Sequence, residues 1–189
     1  VKGISAVGVV APYFYILNSL ISLFWSFGDT IKTTLGDMIA NNVFYFKKYF
    51  YGFISFLFCI AGILSLSVFV GADSFVRIFY YSNTDSLVFG DLALSISLIL
   101  FFQIFFSFLK MIIEIKILWK KIFKLYLIEA LINVILSIIL LKVYGISGAY
   151  WATVITFLLI NIPVSISTVC DELGLNKKYF ILKIFAYIF

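Results

Sequence analysis

The sequence predicts an all-α fold: a polytopic membrane helix bundle of about five transmembrane helices with a truncated C-terminal segment. Three features predict it. Five long apolar runs lie within 189 residues. The composition is 64% hydrophobic and 12% charged, with a mean hydropathy of +1.17, and a soluble fold of this size does not hide that much apolar surface in one core. Lysines cluster in every second gap between the runs.

A span needs roughly 20 apolar residues to cross about 30 Å of hydrocarbon. The spans are expected at 8–31, 50–71, 87–109, 122–141 and 146–169. The first runs on into Asp29-Thr-Ile-Lys32 and Leu35-Gly-Asp37 with nothing to break a helix before Asn41-Asn42, so one helix is expected to about Ala40. The second ends in Gly71-Ala-Asp73. An aromatic, Arg77-bearing segment suited to a membrane interface follows, and then a turn at Ser82-Asn83-Thr84-Asp85. Beyond the third span the lysine-rich stretch is itself partly apolar (Met111, Ile115, Trp119), so helix three is expected to continue past the membrane. Lys142 to Gly148 is a short connection that makes spans four and five antiparallel neighbours. The apolar stretch from Tyr179 is too short to span. It is expected either in the interface or as the start of a further helix. The chain opens on Val1 without a signal-peptide layout, and missing N-terminal sequence is the expectation.

The net charge of +5 is informative through its placement. Lys47 and Lys48 follow span one, Lys110, Lys116, Lys120, Lys121 and Lys124 follow span three, and Lys177, Lys178 and Lys183 follow span five. The other gaps hold Asp73, Arg77, Asp85 and Asp91, or only Lys142. By the positive-inside rule, loops 41–49, 110–124 and 171–183 are expected in the cytoplasm and the other two outside. Basic loops of this kind are the default flanks of membrane spans, so nucleic acid is not an expected partner.

Several spans carry polar residues at helical spacing, which a helix facing only lipid has no reason to do. Span one has Asn18, Ser22, Ser26 and Asp29; span three has Ser95, Gln103 and Ser107; span four has Glu129, Asn133 and Ser137. Gly148, Ala152 and Thr156 form a small-residue stripe that lets helices approach closely. Such positions serve helix contact or line a polar cavity. The charges are sharper. Asp29 and Lys32 lie three apart and can pair, and Glu129 is about two turns into span four, a depth at which charge is costly. Asp29, Lys32, Glu129 and Asn133 are the candidate cavity and coupling residues, and Arg77 and Lys142 the candidate headgroup contacts. The two carboxylates are candidates for coupling to H⁺ or Na⁺.

No constellation for covalent chemistry is present, so no enzyme activity is expected. The chain has no His, no nucleophile–base pair, no phosphate-binding glycine loop and no aspartate pair with metal spacing. Cys59 and Cys170 make no metal motif and read as buried small hydrophobes. No cofactor and no metal are expected.

Four segments carry a family resemblance. Val7-Gly-Val-Val-Ala-Pro-Tyr13 resembles the opening of a mid-protein span in polysaccharide flippases, and Leu35-Gly-Asp37-Met-Ile-Ala40 with Lys47-Lys48-Tyr-Phe50 resembles the segment closing it. Asp91-Leu-Ala-Leu-Ser, followed by the basic stretch and Leu131-Ile-Asn133-Val-Ile-Leu-Ser, resembles the C-terminal region. Tyr144-Gly-Ile-Ser-Gly-Ala149-Tyr-Trp-Ala-Thr153 resembles the turn and helix of Wzx-type O-antigen and capsule flippases. The likeness covers about residues 5–170.

It implies the polysaccharide transporter family of the multidrug/oligosaccharidyl-lipid/polysaccharide exporter superfamily, in which two lobes of six helices face a central cavity. The chain would be one membrane domain over 1–189, the C-terminal half of a longer transporter, holding spans eight to twelve. The implied substrate is an undecaprenyl-pyrophosphate-linked oligosaccharide, moved across the bacterial inner membrane by alternating access. Membrane lipids and a missing N-terminal lobe are the implied partners, with Lys32, Arg77 and Lys142 as cationic residues toward the substrate. A drug/cation antiporter of the same superfamily and a membrane-embedded polysaccharide polymerase are the competing readings.

Overall fold

The computed structural model describes residues 2–41, 43–79 and 90–188. They form a helical bundle: α1 (Lys2–Asn41), α2 (Val43–Phe79), α3 (Gly90–Ile115), α4 (Trp119–Tyr144), α5 (Ile146–Thr156), a π turn (Phe157–Asn161), α6 (Ile162–Leu173) and α7 (Lys177–Ile188). Five helical rods are long and apolar enough to cross a membrane: Val10–Asn41, Phe44–Ile78, Asp91–Ile115, Trp119–Tyr144 and Ile146–Leu173. The chain is therefore a multi-pass membrane protein by length and composition of its helices. The long first helix is as the sequence predicts. Helix two is longer than expected, because the aromatic segment from Ser74 stays helical to Phe79. The turn expected at Ser82–Asp85 lies outside the described residues.

Consecutive rods alternate in direction, so the lysine-rich segments gather at one end. Lys121 Nζ meets Glu172 Oε2 at 3.1 Å there, and Phe180 of α7 packs in a tilted pair with Phe50 of α2, ring centroids 5.7 Å apart. At the opposite end Tyr13 Oη donates to Asp73 Oδ1 at 2.5 Å, joining the start of α1 to the end of α2.

Helix α3 is the axis of the bundle. Ile96, Leu100, Ile104, Ile112 and Ile113 are almost wholly buried, and the helix packs against α1, α2, α5 and α6. Its aromatic residues interlock with those of α2: Phe108 lies 4.6 Å from Phe53 and 5.5 Å from Phe50. Edge and offset pairs of this kind add to the area they bury.

The basic stretch 110–124 is no loop. Lys110 and Glu114 belong to α3, and Lys120, Lys121 and Lys124 belong to α4. Only three residues separate the helices. Leu118 N–H bonds Ile113 O at 2.9 Å and Ile117 N–H bonds Glu114 O at 3.1 Å. This is the paired 6→1 and 5→2 closure of a Schellman cap, with Ile117 in the left-handed position at φ 53°. No glycine marks it in the sequence.

Helices α4 and α5 are antiparallel neighbours, as predicted. Gly145 (φ 66°) reverses the chain. Gly148 presses so close to α4 that a Cβ there would collide with the Leu140 carbonyl. Gly148, Ala152 and Thr156 are all buried, which makes them the close-packing stripe expected of small residues. The fifth rod is broken in the middle by the π turn. Pro163 has no N–H to offer the carbonyl of Leu159, and a locally widened helix accommodates that gap.

Candidate functional site

The bundle brings together polar groups from α1, α3, α4 and the π turn near its lysine-rich end. Lys32 Nζ donates to Glu114 Oε2 in a short ion pair joining α1 to α3, with the side chains 37% and 29% exposed. The pairing of Lys32 with Asp29 expected from their spacing is not formed. Three residues on a helix leave about 60° between side chains. That turns Lys32 toward α3, while Asp29 stays on the exposed side.

One turn earlier on α3, Lys110 sits with its ammonium 5.6 Å from the centroid of the Phe157 ring. It interacts electrostatically with both Glu114 and Glu129. Glu129, on α4, receives the side-chain amide of Asn161 at 3.2 Å on each carboxylate oxygen. Charges thus alternate along a path of Lys32, Glu114, Lys110 and Glu129, anchored on α1, α3 and α4. Asn161 is 5% exposed, and its Oδ1 is buried with no hydrogen-bond partner among the described residues. π turns recur at functional positions because they re-aim side chains.

Toward the other end the polar contacts between α4 and α5 continue. Asn133 Nδ2 donates to Thr156 Oγ1 at 2.8 Å and lies 3.4 Å from Thr153 Oγ1. Ser137 Oγ donates to Asn133 Oδ1 at 3.4 Å. The Glu129–Asn133–Ser137 stripe of the sequence therefore faces the neighbouring rod and acts as interhelical glue. On span three the serines take the packing side of the two alternatives. Ser95 and Ser107 are fully buried and bond their own helix at Leu92 O and Ile104 O, 3.0 and 2.5 Å away. They satisfy themselves inside the packed core and line no open groove. Gln103 is half-buried on the same helix.

Helix α1 does carry an open polar face. Ser22, Ser26, Asp29, Thr33 and Asp37 are all exposed, at steps of four, three, four and four residues. This spacing keeps them on one side of the helix for about 22 Å. Exposed Leu23 and Phe27 lie roughly 100° round the axis from it. Helix α1 has a mean hydropathy of 1.3, against 1.9 to 2.6 for the other four rods. Exposed α4 residues are of the opposite kind: Leu127, Leu131, Ile135, Ile138 and Ile139 present a lipid-compatible surface.

Arg77 is exposed in the last turn of α2 and Lys142 is exposed in the last turn of α4, both at the lysine-poor end. Arg77 interacts electrostatically with Tyr13 beside the Tyr13–Asp73 contact. The structure thus joins Lys32 and Glu129 to partners absent from the sequence reading (Glu114, Lys110, Asn161). It leaves Asp29 on a separate, outward face. Lys110 and Glu114 were missed because their partners give no signal in the sequence, and Asn161 because a lone Asn in an apolar run has no periodic signal.

Comparison with protein-family models, with curated proteins and with solved structures finds no match to this chain.

Proposed function

We propose that this chain is the C-terminal lobe of a flippase. In this reading it carries an undecaprenyl-pyrophosphate-linked oligosaccharide, the repeat unit of an O-antigen or capsule, across the bacterial inner membrane by alternating access. The observation that carries the reading is the exposed polar stripe of α1. Ser22, Ser26 and Asp29, inside the expected span 8–31, would be costly against hydrocarbon, so the stripe is assigned to a wet cavity shared with a second lobe. The lipid-compatible face of α4 then marks the outside of the transporter.

The motifs around Tyr13, Asp37, Asn133 and Tyr144–Thr153 support the same reading, since they resemble polysaccharide flippases in order and spacing. The lysine-rich end is assigned to the cytoplasm by the positive-inside rule. In this arrangement the α1 stripe meets the sugar headgroup, Arg77 and Lys142 lie where a pyrophosphate leaves, and the isoprenoid tail stays in the bilayer. Asp29 and Glu129 are the coupling candidates, in different settings. Asp29 lies on the cavity face, while Glu129 is held behind it by Asn161.

The test is complementation. The full-length gene and this chain are each expressed in a bacterium lacking its own flippase, and surface polysaccharide is stained. Restoration by the full-length gene, lost on Asp29→Asn with the protein still in the membrane, is the expected result. No restoration by a full-length gene that matches the host glycan defeats the reading.

A further inference from the structure

We propose that the groove between α2, α3 and α6 is a binding site for one anionic phospholipid, with an acyl chain in the groove and the phosphate at Lys177 of α7. The inference is independent of the transport reading. The groove encloses about 360 Å³, within the range of small-ligand cavities. Its walls are apolar at membrane depth: Phe58 from α2, Phe102 and Phe105 from α3, Pro163 from α6. Polar atoms line it at one end only, where Ser167 and Lys177 meet. Ile181 of α7 lines that same end, so a spanning helix would run into α7, whereas a flexible chain with a polar head fits the shape.

The charge at the polar end selects the head. Lys177 Nζ donates to Ser167 Oγ at 2.9 Å and to Asp171 Oδ2 at 2.7 Å. That ion pair is solvent-exposed, with side chains 42% and 65% exposed, so a phosphate oxygen can take the place of the carboxylate at little cost. Glu172 is occupied by Lys121. Lys178 and Lys183 on α7, and Lys47, whose Nζ lies against the Gly174 turn, have no carboxylate partner among the described residues. Lys183 is instead stacked 4.3 Å above the Tyr51 ring. Lys177 at the polar end of an apolar groove, with Lys178 next to it in sequence, matches an anionic headgroup at the membrane interface.

Native mass spectrometry of the purified chain decides it, with phosphatidylglycerol and phosphatidylcholine of identical acyl chains added in parallel. Phosphatidylglycerol is expected to be retained preferentially. The preference should fall by roughly fivefold for each lysine removed in Lys177→Gln and Lys178→Gln, and stay unchanged in Lys120→Gln on α4. Ile181→Trp, which fills the groove from the exposed side of α7, should reduce retention of both lipids. Equal retention of the two lipids by the unaltered chain overturns the proposal. So does a preference insensitive to both lysine variants, retention insensitive to Ile181→Trp, or stronger retention of a polyprenyl phosphate than of phosphatidylglycerol.

Discussion

The side-chain nitrogen of Asn161 stands 3.2 Å from each carboxylate oxygen of Glu129, reaching from a π turn in the fifth rod to the middle of the fourth. In a regular helix the register beyond Thr156 would differ. The widened turn ahead of Pro163 is what aims the amide at α4. Asn161→Leu takes away the donor and leaves a polar carboxyl group without it. Interhelical hydrogen bonds in membranes average about 0.6 kcal/mol and reach about 1.7 kcal/mol, so a loss within that range is expected in reversible unfolding from mixed micelles. Asn161→Leu, Glu129→Leu and the double variant close a cycle, in which the double variant should lose less than the two single losses added together. Additive losses in the double variant would mean that the contact contributes no coupling.

The Lys32–Glu114 pair gives a second cycle. Lys32→Glu places two carboxylates together at the α1–α3 contact, and Glu114→Lys places two ammonium groups there. Each is expected to lower stability, and the swap Lys32→Glu/Glu114→Lys should restore most of it. The side chains are about a third exposed, so the coupling is expected near the surface value of up to about 1 kcal/mol and should shrink at high salt. Additive losses in the swapped variant would contradict the bridge.

Ile117 is a β-branched residue in the left-handed position of a Schellman cap, exposed at the turn between α3 and α4. A side chain with a Cβ costs roughly 1–2 kcal/mol in this conformation. Ile117→Gly removes the strain without removing a packed side chain. A higher unfolding midpoint is expected, where the same substitution at a mid-helix position would lower it. A lower midpoint for Ile117→Gly would show that the cap is not formed as described.

The two rods joined at Gly145 offer a contrast between glycines. At Gly148 a Cβ would meet the backbone of Leu140, whereas at Gly62 on α2 nothing lies within 4 Å of the same atom. Gly148→Ala should therefore cost about 1–3 kcal/mol, the range for overfilling a tight contact. Gly62→Ala should be neutral or stabilising through helix propensity. Thermal unfolding of the two variants side by side separates close packing from propensity, and matching shifts would deny the close approach.

The fold was readable from the chain to the extent that it follows one-dimensional periodicity. Five apolar runs, the long first helix and the Gly148–Ala152–Thr156 stripe each follow from spacing alone, because a single rod in a bilayer must satisfy its own backbone. The polar cluster was readable only in part. Glu129 stood out as a charge in an apolar run, but its partner Asn161 lies 32 residues away on a turn whose register is altered by Pro163. Helix three was expected to run on past the membrane, which places Lys110 and Glu114 on it, but the glycine-free cap at Ile117 that ends it and the partners of the two charges gave no signal. Asp29 and Lys32 are neighbours in sequence, yet their 60° separation on the helix sends one outward and the other to α3. Helix-to-helix register is a property of the packed bundle, and no spacing within one helix encodes it.

The exposed face of α1 makes the last prediction. Ser22, Ser26 and Thr33 lie on one polar side, and Leu23 and Phe27 on a neighbouring side. If the polar side borders a water-filled cavity, its positions react with a membrane-impermeant maleimide while the other two do not. Both cysteines were expected to be buried, but only Cys170 is, and Cys59 is exposed on α2, so both are first replaced by Ser. Single cysteines are then placed at the five positions in the full-length protein in native membranes. Ser22→Cys, Ser26→Cys and Thr33→Cys are expected to label fast, and Leu23→Cys and Phe27→Cys to stay unlabelled, because a thiol in hydrocarbon meets neither the reagent nor the water needed to ionise it. The rates should repeat with the helical period of 3.6 residues along α1. Uniform labelling of all five would place α1 in bulk solvent, and uniform protection would bury the polar stripe against another protein surface. Either pattern removes the observation on which the flippase reading stands.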